Sequence, residues 1–384
     1  MKKVTALLFV FLIVISAIAG VGCSQQDDVI YNVIDNVSES DVETTSRMNF
    51  KKIYYRNFSA GITDDNELYT WGWNNTFGQL GVGDTDNHNE MNLIMTDVSD
   101  LSVSLASCAA IKTDGTLYTW GKNCGDGTTE ERTEPMKLME NVKQVSLGPW
   151  HSGLLTDNGE LYTWGDNDSG KLGCDEEYCT QPVKIMENIK EISVGYHNTA
   201  AITTEGELYV WGNNQYGQIG DGSVKNRARP VKVMDNIAHV SLGCWYSAAI
   251  SDDGSLYMWG SNRYGMLWDN SEEYSSSPIK IMDDVAFFDA GEHHCAAVTV
   301  DGRLFMWGNN DDGELGIGTK KASAVPIKIL DDVVWVSAES EYSLAICSDG
   351  KTYIWGGYND RSSTVGYPCR LSNKEKLSPT KISF

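Results

Sequence analysis

A short pattern of alternating apolar and polar residues returns seven times along the chain. Each copy ends in Trp-Gly. An aromatic residue lies two residues before the tryptophan, and in six of the seven copies Leu lies three residues before the tryptophan. Alternation with a period of two residues predicts a β-strand. The tryptophans are Trp71, Trp120, Trp164, Trp211, Trp259, Trp307 and Trp355, with spacings of 44 to 49 residues. Such a period predicts one repeated structural unit per copy.

Turn signals and further apolar segments complete each unit. Pairs such as Asp253-Gly254 and Asp301-Gly302 precede the Trp-Gly strand, which predicts a tight hairpin to an earlier strand of small residues such as 247–250. A further apolar stretch, for example 142–148, comes before that strand. The fourth segment begins with proline, which is typical of the first residue of an edge strand. These prolines are Pro135, Pro182, Pro230, Pro278, Pro326 and Pro379.

Four short strands per period and seven periods predict an all-β fold, a seven-bladed β-propeller with four antiparallel strands per blade. The propeller is assigned to residues 49–384. The last segment, 379–382, stops where another strand is due, and residues 50–54 supply a strand near the start. We therefore expect the N- and C-terminal strands to complete one blade together and so close the ring.

The N-terminal segment has the composition of an export signal. Lys2 and Lys3 precede an apolar run from Val4 to Gly22, which is typical of a signal peptide. The sequence 20–23 ends in Cys23 and resembles the bacterial lipobox, in which the cysteine is acylated. We predict a lipoprotein-type signal in residues 1–23 and an acidic tether in 24–48. An uncleaved membrane anchor is the alternative, because about 20 apolar residues span a bilayer.

Composition and charge narrow the classes of function. The chain of 384 residues has 41% hydrophobic residues, enough for a packed core, and 53 acidic against 30 basic residues give a net charge of −23. Such a polyanion repels nucleic acid in the absence of a basic patch. We therefore expect no nucleic-acid partner.

The segment 208–220, with its counterparts 68–81 and 304–316, closely resembles the regulator-of-chromosome-condensation repeat. The resemblance covers about residues 50–384 and implies a seven-bladed propeller. It also offers two precedents for function. Nuclear members of the family exchange guanine nucleotide on a small GTPase, and an exported bacterial propeller of this repeat type inhibits β-lactamases.

A two-residue turn follows the glycine at Gly148, Gly195, Gly243 and Gly291, and it holds large amphipathic side chains. Equivalent positions of a propeller lie on one face, so we expect these side chains to form a binding ring. The predicted partner-binding residues are Trp150, Tyr196, His197, Trp245, Glu292 and His293. The loops that begin at the Trp-Gly-x-Asn segments are expected on the opposite face.

No catalytic, metal or cofactor motif emerges, so we expect no enzyme, no metal and no cofactor. His293, His294 and Cys295 invite a zinc interpretation, but neighbouring strand residues point to opposite faces. A weaker alternative is an enzyme with carboxylates in the central channel. Cys108, Cys295 and Cys347 are expected to be buried thiols, whereas Cys174 and Cys179 bracket a short loop and form a candidate disulfide.

Together these features predict a monomeric, extracytoplasmic binding scaffold, held at the membrane through Cys23. Its partner is expected to be a protein or a glycan, bound by loops of one propeller face. Guanine-nucleotide exchange and enzyme inhibition, the two activities implied by the resemblance, are the alternatives.

Overall fold

The computed structural model describes residues 48–55, 58–267, 273–357 and 376–382. The predicted signal peptide, Cys23 and nearly all of the predicted tether lie outside these residues. Seven four-stranded antiparallel sheets form the blades of a ring, and the only helix in the described part is the 3-10 turn Asp168–Gly170. No helix among the described residues is long and apolar enough to cross a membrane. The predicted seven-bladed all-β propeller is confirmed.

Each blade uses four consecutive strands, the first innermost. Blade 1 has β1 (Phe50–Tyr55), β2 (Ser59–Thr63), β3 (Leu68–Gly72) and β4 (His88–Met95); blade 2 has β5 (Val98–Val103), β6 (Ser107–Lys112), β7 (Leu117–Gly121) and β8 (Arg132–Met139). Blade 3 has β9 (Val142–Leu147), β10 (His151–Thr156), β11 (Leu161–Asp166) and β12 (Tyr178–Met186); blade 4 has β13 (Ile189–Val194), β14 (Asn198–Thr203), β15 (Leu208–Gly212) and β16 (Arg227–Met234).

The remaining three blades repeat this order. Blade 5 has β17 (Ile237–Leu242), β18 (Tyr246–Ser251), β19 (Leu256–Ser261) and β20 (Tyr274–Met282); blade 6 has β21 (Val285–Ala290), β22 (His294–Thr299), β23 (Leu304–Gly308) and β24 (Ser323–Leu330). Blade 7 has β25 (Val333–Ala338), β26 (Tyr342–Cys347), β27 (Thr352–Gly356) and β28 (Lys376–Ile382).

The ring closes in a different way from the one expected. Among the described residues no sheet combines strands from both ends of the chain, because β1 to β4 form blade 1 and β25 to β28 form blade 7. The two terminal blades instead pack through their side chains, with Phe50, Ile53 and Trp71 against Leu344 and Ile346. The expectation of a shared blade was wrong, since the N-terminal strand is the inner strand of a complete blade.

The prolines of the fourth strands also lie elsewhere than predicted. Pro230 is the fourth residue of β16 rather than its first, and Pro182 lies inside β12. In both strands the register with the third strand of the blade shifts beside the proline. In blade 3, for example, Thr163 pairs with Val183 but Gly165 pairs with Cys179. An irregular stretch of an edge strand needs no N–H from proline. The edge position was predicted correctly.

The tryptophans of the Trp-Gly pairs form the core between adjacent blades. All seven are at most 1% exposed. Trp259 of blade 5 packs with Ile202, Leu208 and Val210 of blade 4, and its Nε1–H donates to the Gln218 carbonyl at 2.9 Å. A Cβ at Gly220, whose φ is +86°, would lie 2.6 Å from that indole nitrogen. The repeated glycine therefore gives the indole room to reach the neighbouring blade.

Candidate functional site

The Gly-x-x turns and the Trp-Gly-x-Asn loops lie on the same face of the propeller, which we call the loop face. The first strand of a blade runs to this face, the second returns, and the third runs to it again. Accordingly Asn213 N–H donates to the His197 carbonyl at 3.0 Å, and Ser261 N–H donates to the Trp245 carbonyl at 2.9 Å. The expectation of opposite faces was wrong, because two hairpin reversals bring the chain back to its starting face. The opposite face carries the hairpins between second and third strands, and we call it the turn face.

The Gly-x-x turns are tight and stand where the inner strands converge. Gly243 N–H donates to the Tyr246 carbonyl at 3.0 Å, and Gly148 N–H donates to the His151 carbonyl at 2.9 Å. A Cβ at Gly148 would lie 2.6 Å from the Gly195 carbonyl oxygen of the next blade. These glycines are therefore required by the close approach of neighbouring blades, which leaves only the next two residues of each turn to project.

Three of the predicted partner-binding residues meet in blades 4 and 5. The His197 ring stacks on the Trp245 ring with centroids 4.3 Å apart, and Tyr196 lies 6.4 Å from His197. Tyr216, which comes from the long loop of blade 4, meets Trp245 edge-on at 5.5 Å. Burial and the charge of Lys171 lower the pKa of His197. Its neutral ring thus completes an amphipathic aromatic cluster.

The other three predicted residues lie apart from this cluster on the same face. Trp150 of blade 3 is 51% exposed. In blade 6, His293 packs against Tyr264 with ring centroids 4.8 Å apart, and its Nε2 lies 3.6 Å from a carboxylate oxygen of Glu292. All six residues lie on one face, as predicted. They form separate groups there and not the expected continuous ring.

Sequence reasoning missed the aromatic residues that the long loops and the fourth strands contribute. Tyr178 and Tyr216 on the loop face are 41% and 40% exposed, and Trp73 and Tyr274 on the same face are 44% and 38% exposed. Tyr216 immediately precedes the glycine of a Trp-Gly-x-Asn loop, as Phe77 and Tyr264 do in other blades. An aromatic residue in an otherwise polar loop was the available signal.

Carboxylates surround the inner end of the loop face. A cavity at the convergence of the Gly-x-x turns is lined by Glu292 and Glu339, by other residues of those turns and by apolar residues at the ends of the first strands. Burial, and then repulsion from Asp312 and Glu292, raises the pKa of the nearby Glu341 carboxyl. Like charges crowded in this way favour a positively charged ligand group over an anion.

The histidine and cysteine residues considered for metal binding have structural positions. His294 is fully buried and its Nε2 lies 2.8 Å from the Ser343 hydroxyl of the next blade, whereas His293 points to the surface. Burial, with a smaller effect of His293, lowers the pKa of His294 to about 3. Cys108, Cys295 and Cys347 are buried free thiols, as expected. The adjacent histidines do not converge on one point.

Cys174 and Cys179, the candidate disulfide, lie close together in the long loop of blade 3. Their sulfur atoms are 3.9 Å apart, and both residues are buried free thiols in this structure. Lys171 of the same loop pairs with Asp166.

Known proteins place this architecture in a family. The family model described as the RCC1-like domain matches residues 32–290 and 124–384. Human WBSCR16 has a similar structure, with 21% identity and a TM-score of 0.72, over 83% of this chain and 94% of that chain. No curated protein matches this chain.

Two structures of a yeast protein are also similar. Prp20p from Saccharomyces cerevisiae, whose structure was described with its binding properties to Gsp1p and histones, has 20% identity and a TM-score of 0.69, over 88% of this chain and 86% of that chain. Yeast RCC1 (Prp20) with Kap60 bound has 20% identity and a TM-score of 0.70, over 90% and 89% of the two chains. Identity at this level shows a common fold. With the family model matching most of its length, this chain belongs to the RCC1-like domain family.

Proposed function

We propose that this protein is a non-enzymatic binding scaffold that holds a protein partner on its loop face. The observation that carries the proposal is the concentration of accessible aromatic side chains there. Trp73, Trp150, Tyr178 and Tyr216 are each at least 40% exposed, and all four lie on this face. Aromatic side chains bury a large area with few rotatable bonds, and they dominate the binding energy of protein interfaces.

Charge indicates the chemistry of the partner surface. Glu292 and Glu339 line the inner end of the loop face, and the whole chain has a net charge of −23. A partner that presents a basic side chain between apolar groups would complement both the carboxylates and the aromatic cluster. Yeast Prp20 was described with its binding to Gsp1p and histones and with Kap60 bound, which supports protein rather than glycan recognition for this propeller type.

We also propose that the protein acts outside the cytoplasm, anchored through Cys23. This rests on the N-terminal sequence, since residues 1–47 lie outside the described residues. Metabolic labelling with a radioactive fatty acid tests it, with Cys23→Ser as the matched variant. Label and membrane association should be lost together in that variant. Equal labelling of both proteins would contradict the anchor.

A pull-down with immobilised full-length protein tests the binding face. The test variant carries Trp150→Ala and Trp245→Ala, and the control carries Val300→Ala, because Val300 is 70% exposed on the turn face. Near-UV circular dichroism establishes that all three proteins are folded. We expect the wild type and the Val300 variant to retain the same protein partner and the double variant to lose it.

Two results would contradict this proposal. A partner retained by the folded double variant but lost by the Val300 variant would place binding on the turn face. Capture of glycan alone, measured on a glycan array with the same three proteins, would replace a protein ligand by a carbohydrate one.

A further inference from the structure

The long loops of blades 1, 2 and 4 are each closed by an acidic side chain paired with a basic residue of the fourth strand. The second member of the pair is the residue of the fourth strand that pairs with the Trp-Gly glycine. In blade 4, Arg227 Nε donates to Asp221 Oδ2 at 2.6 Å, and in blade 1, His88 Nε2 lies 3.0 Å from Asp84 Oδ1. Blade 2 uses the pair Asp126 and Arg132. We call this contact the loop clasp.

Blade 3 has two cysteines at the loop clasp. Cys179 of β12 pairs with Gly165, as Arg227 pairs with Gly212, and Cys174 follows Gly173 as Asp221 follows Gly220. Two thiols have no charge attraction for each other. In blades 5 and 6 a serine pairs with the Trp-Gly glycine at this position, so the fold does not require an ion pair there. In blade 3, a covalent bond or a bridging ion can take the place of the charged contact.

The positions of the ligand atoms fit a bridging ion. The sulfur atoms lie 3.9 Å apart, and a carboxylate oxygen of Glu176 lies with both of them within a span of 4.8 Å. Tetrahedral zinc with Zn–S bonds of about 2.3 Å places two sulfur ligands about 3.8 Å apart. A disulfide requires sulfur atoms about 2.05 Å apart. The observed separation fits two sulfur ligands of one metal ion, and it is also the separation of a thiol–thiol hydrogen bond.

The surrounding contacts hold these ligands in place. Asn167 Nδ2 donates to the carbonyls of Cys174 and Glu176 at 3.1 and 2.6 Å, and it lies 3.8 Å from the Cys174 sulfur. Arg229 donates to the Gly173 carbonyl and pairs with Asp175 at 2.6 Å. Outer contacts of this kind orient metal ligands. Both cysteines are nearly buried while Glu176 is exposed, which leaves a side open for the ion to enter.

We propose that Cys174, Glu176 and Cys179 bind one Zn²⁺, which closes the blade 3 loop in place of an ion pair. Two thiolates and one carboxylate supply three ligands of a tetrahedral site, and water supplies the fourth. Their three negative charges exceed the charge of the ion by one. The proposal departs from the expectations of no metal and of a disulfide at these cysteines.

Metal content and cobalt spectroscopy of the full-length protein test this site. Under reduction by a phosphine, which does not bind zinc strongly, we expect one equivalent of Zn²⁺ by mass spectrometry. Replacement by Co²⁺ should produce sulfur-to-cobalt absorption in the near ultraviolet and tetrahedral bands in the visible. Cys174→Ser with Cys179→Ser should lose both, and Glu176→Gln should bind at least about ten-fold more weakly.

Cys108→Ser is the matched control, because Cys108 is fully buried at a position where blade 3 has Ser152. It should bind metal as the wild type does. Should the double variant fail to fold, alkylation of the wild type with and without Zn²⁺ replaces it. Peptide mass spectrometry should then find Cys174 and Cys179 protected by zinc and the other cysteines unchanged.

Three results would overturn the proposal. One is wild-type protein that binds no equivalent of Zn²⁺ or Co²⁺ after reduction. Another is a cobalt spectrum that survives in a folded double variant. The third is protein isolated without reductant in which Cys174 and Cys179 resist alkylation until a disulfide is reduced.

Discussion

The chain uses tryptophan in two contrasting regions. Trp259 lies in the core between blades 4 and 5 and is fully buried, while Trp150 stands on the loop face and is 51% exposed. Trp259 belongs to a set found in all seven blades. At the turn position of Trp150, blade 5 also has a tryptophan, Trp245, whereas blades 4 and 6 have His197 and His293. Residues that repeat form the scaffold, and residues that differ between blades give the loop face its individual chemistry.

The long loops contain the same contrast on a smaller scale. The position that Gln218 occupies in blade 4 holds Gln79, Lys171, Met266 and Glu314 in blades 1, 3, 5 and 6. The two charged replacements have local partners: Lys171 pairs with Asp166, and the Asn309 amide donates to Glu314 at 3.0 Å. The loop backbone is kept by the repeated asparagine, whose amide oxygen accepts the Ile219 N–H in blade 4. One backbone therefore tolerates different charges.

The largest effect is expected from the core. Trp259→Ala should lower the free energy of unfolding by about 3–5 kcal/mol, because it leaves a cavity between two blades and removes the indole hydrogen bond to the Gln218 carbonyl. Urea unfolding monitored by circular dichroism measures it. A loss of less than about 1 kcal/mol would show that this tryptophan does not join the blades.

Glu314 should make stability depend on pH. Burial raises the pKa of its carboxyl to about 7. The unfolded chain releases this proton near the ordinary value while the folded chain keeps it, so stability falls as pH rises from about 4.5 to 7 and then levels. Relative to the wild type, Glu314→Gln should gain about 2 kcal/mol at pH 8 and nothing at pH 4.

Glutamine should fit at position 314, because blades 1 and 4 have glutamine at the equivalent position. Gln79 accepts the Phe77 N–H and Gln218 accepts the Tyr216 N–H. Glu314 accepts the Asp312 N–H in the same way. Denaturant titrations of the wild type and Glu314→Gln at several pH values measure the difference in their free energies of unfolding. The contributions of other titrating groups are the same in both proteins and cancel. A difference independent of pH would contradict the buried, protonated carboxyl.

The loop clasp of blade 4 should contribute less. Arg227→Ala leaves Asp221, whose side chain is 5% exposed, without its cation, and should cost about 1 kcal/mol because Arg227 is itself partly exposed. Lys232→Ala removes an exposed pair with Glu207 and serves as control. Equal losses in chemical denaturation would mean that the clasp is no more than another surface ion pair.

Trp150→Ala should have the smallest effect on folding. Because this side chain is largely exposed in the folded protein, its removal should change the free energy of unfolding by less than about 0.5 kcal/mol. The measurement is the same denaturant titration used for Trp259→Ala. Destabilisation comparable with that of the core variant would assign Trp150 to packing and would remove it from the proposed binding face.

Much of the fold followed from local patterns. The Trp-Gly strands, the Asp-Gly hairpins and the apolar inner strands were predicted at the right places, and in the structure Gly254 and Gly302 indeed have φ near +81°. Local alternation and turn preference act within a few residues. The six predicted partner-binding residues were placed on a single face by the same reasoning.

The sequence by itself therefore determined the number of blades, their strands and the family, because each repeat carries its own turn and packing signals. Only the tertiary structure decided that long loops and Gly-x-x turns share one face, that His197 stacks on Trp245, and that the terminal blades close the ring by packing. It also decided that the sulfur atoms of Cys174 and Cys179 lie 3.9 Å apart. These relations join residues that are distant in the chain, and distances between blades are not encoded in any one repeat.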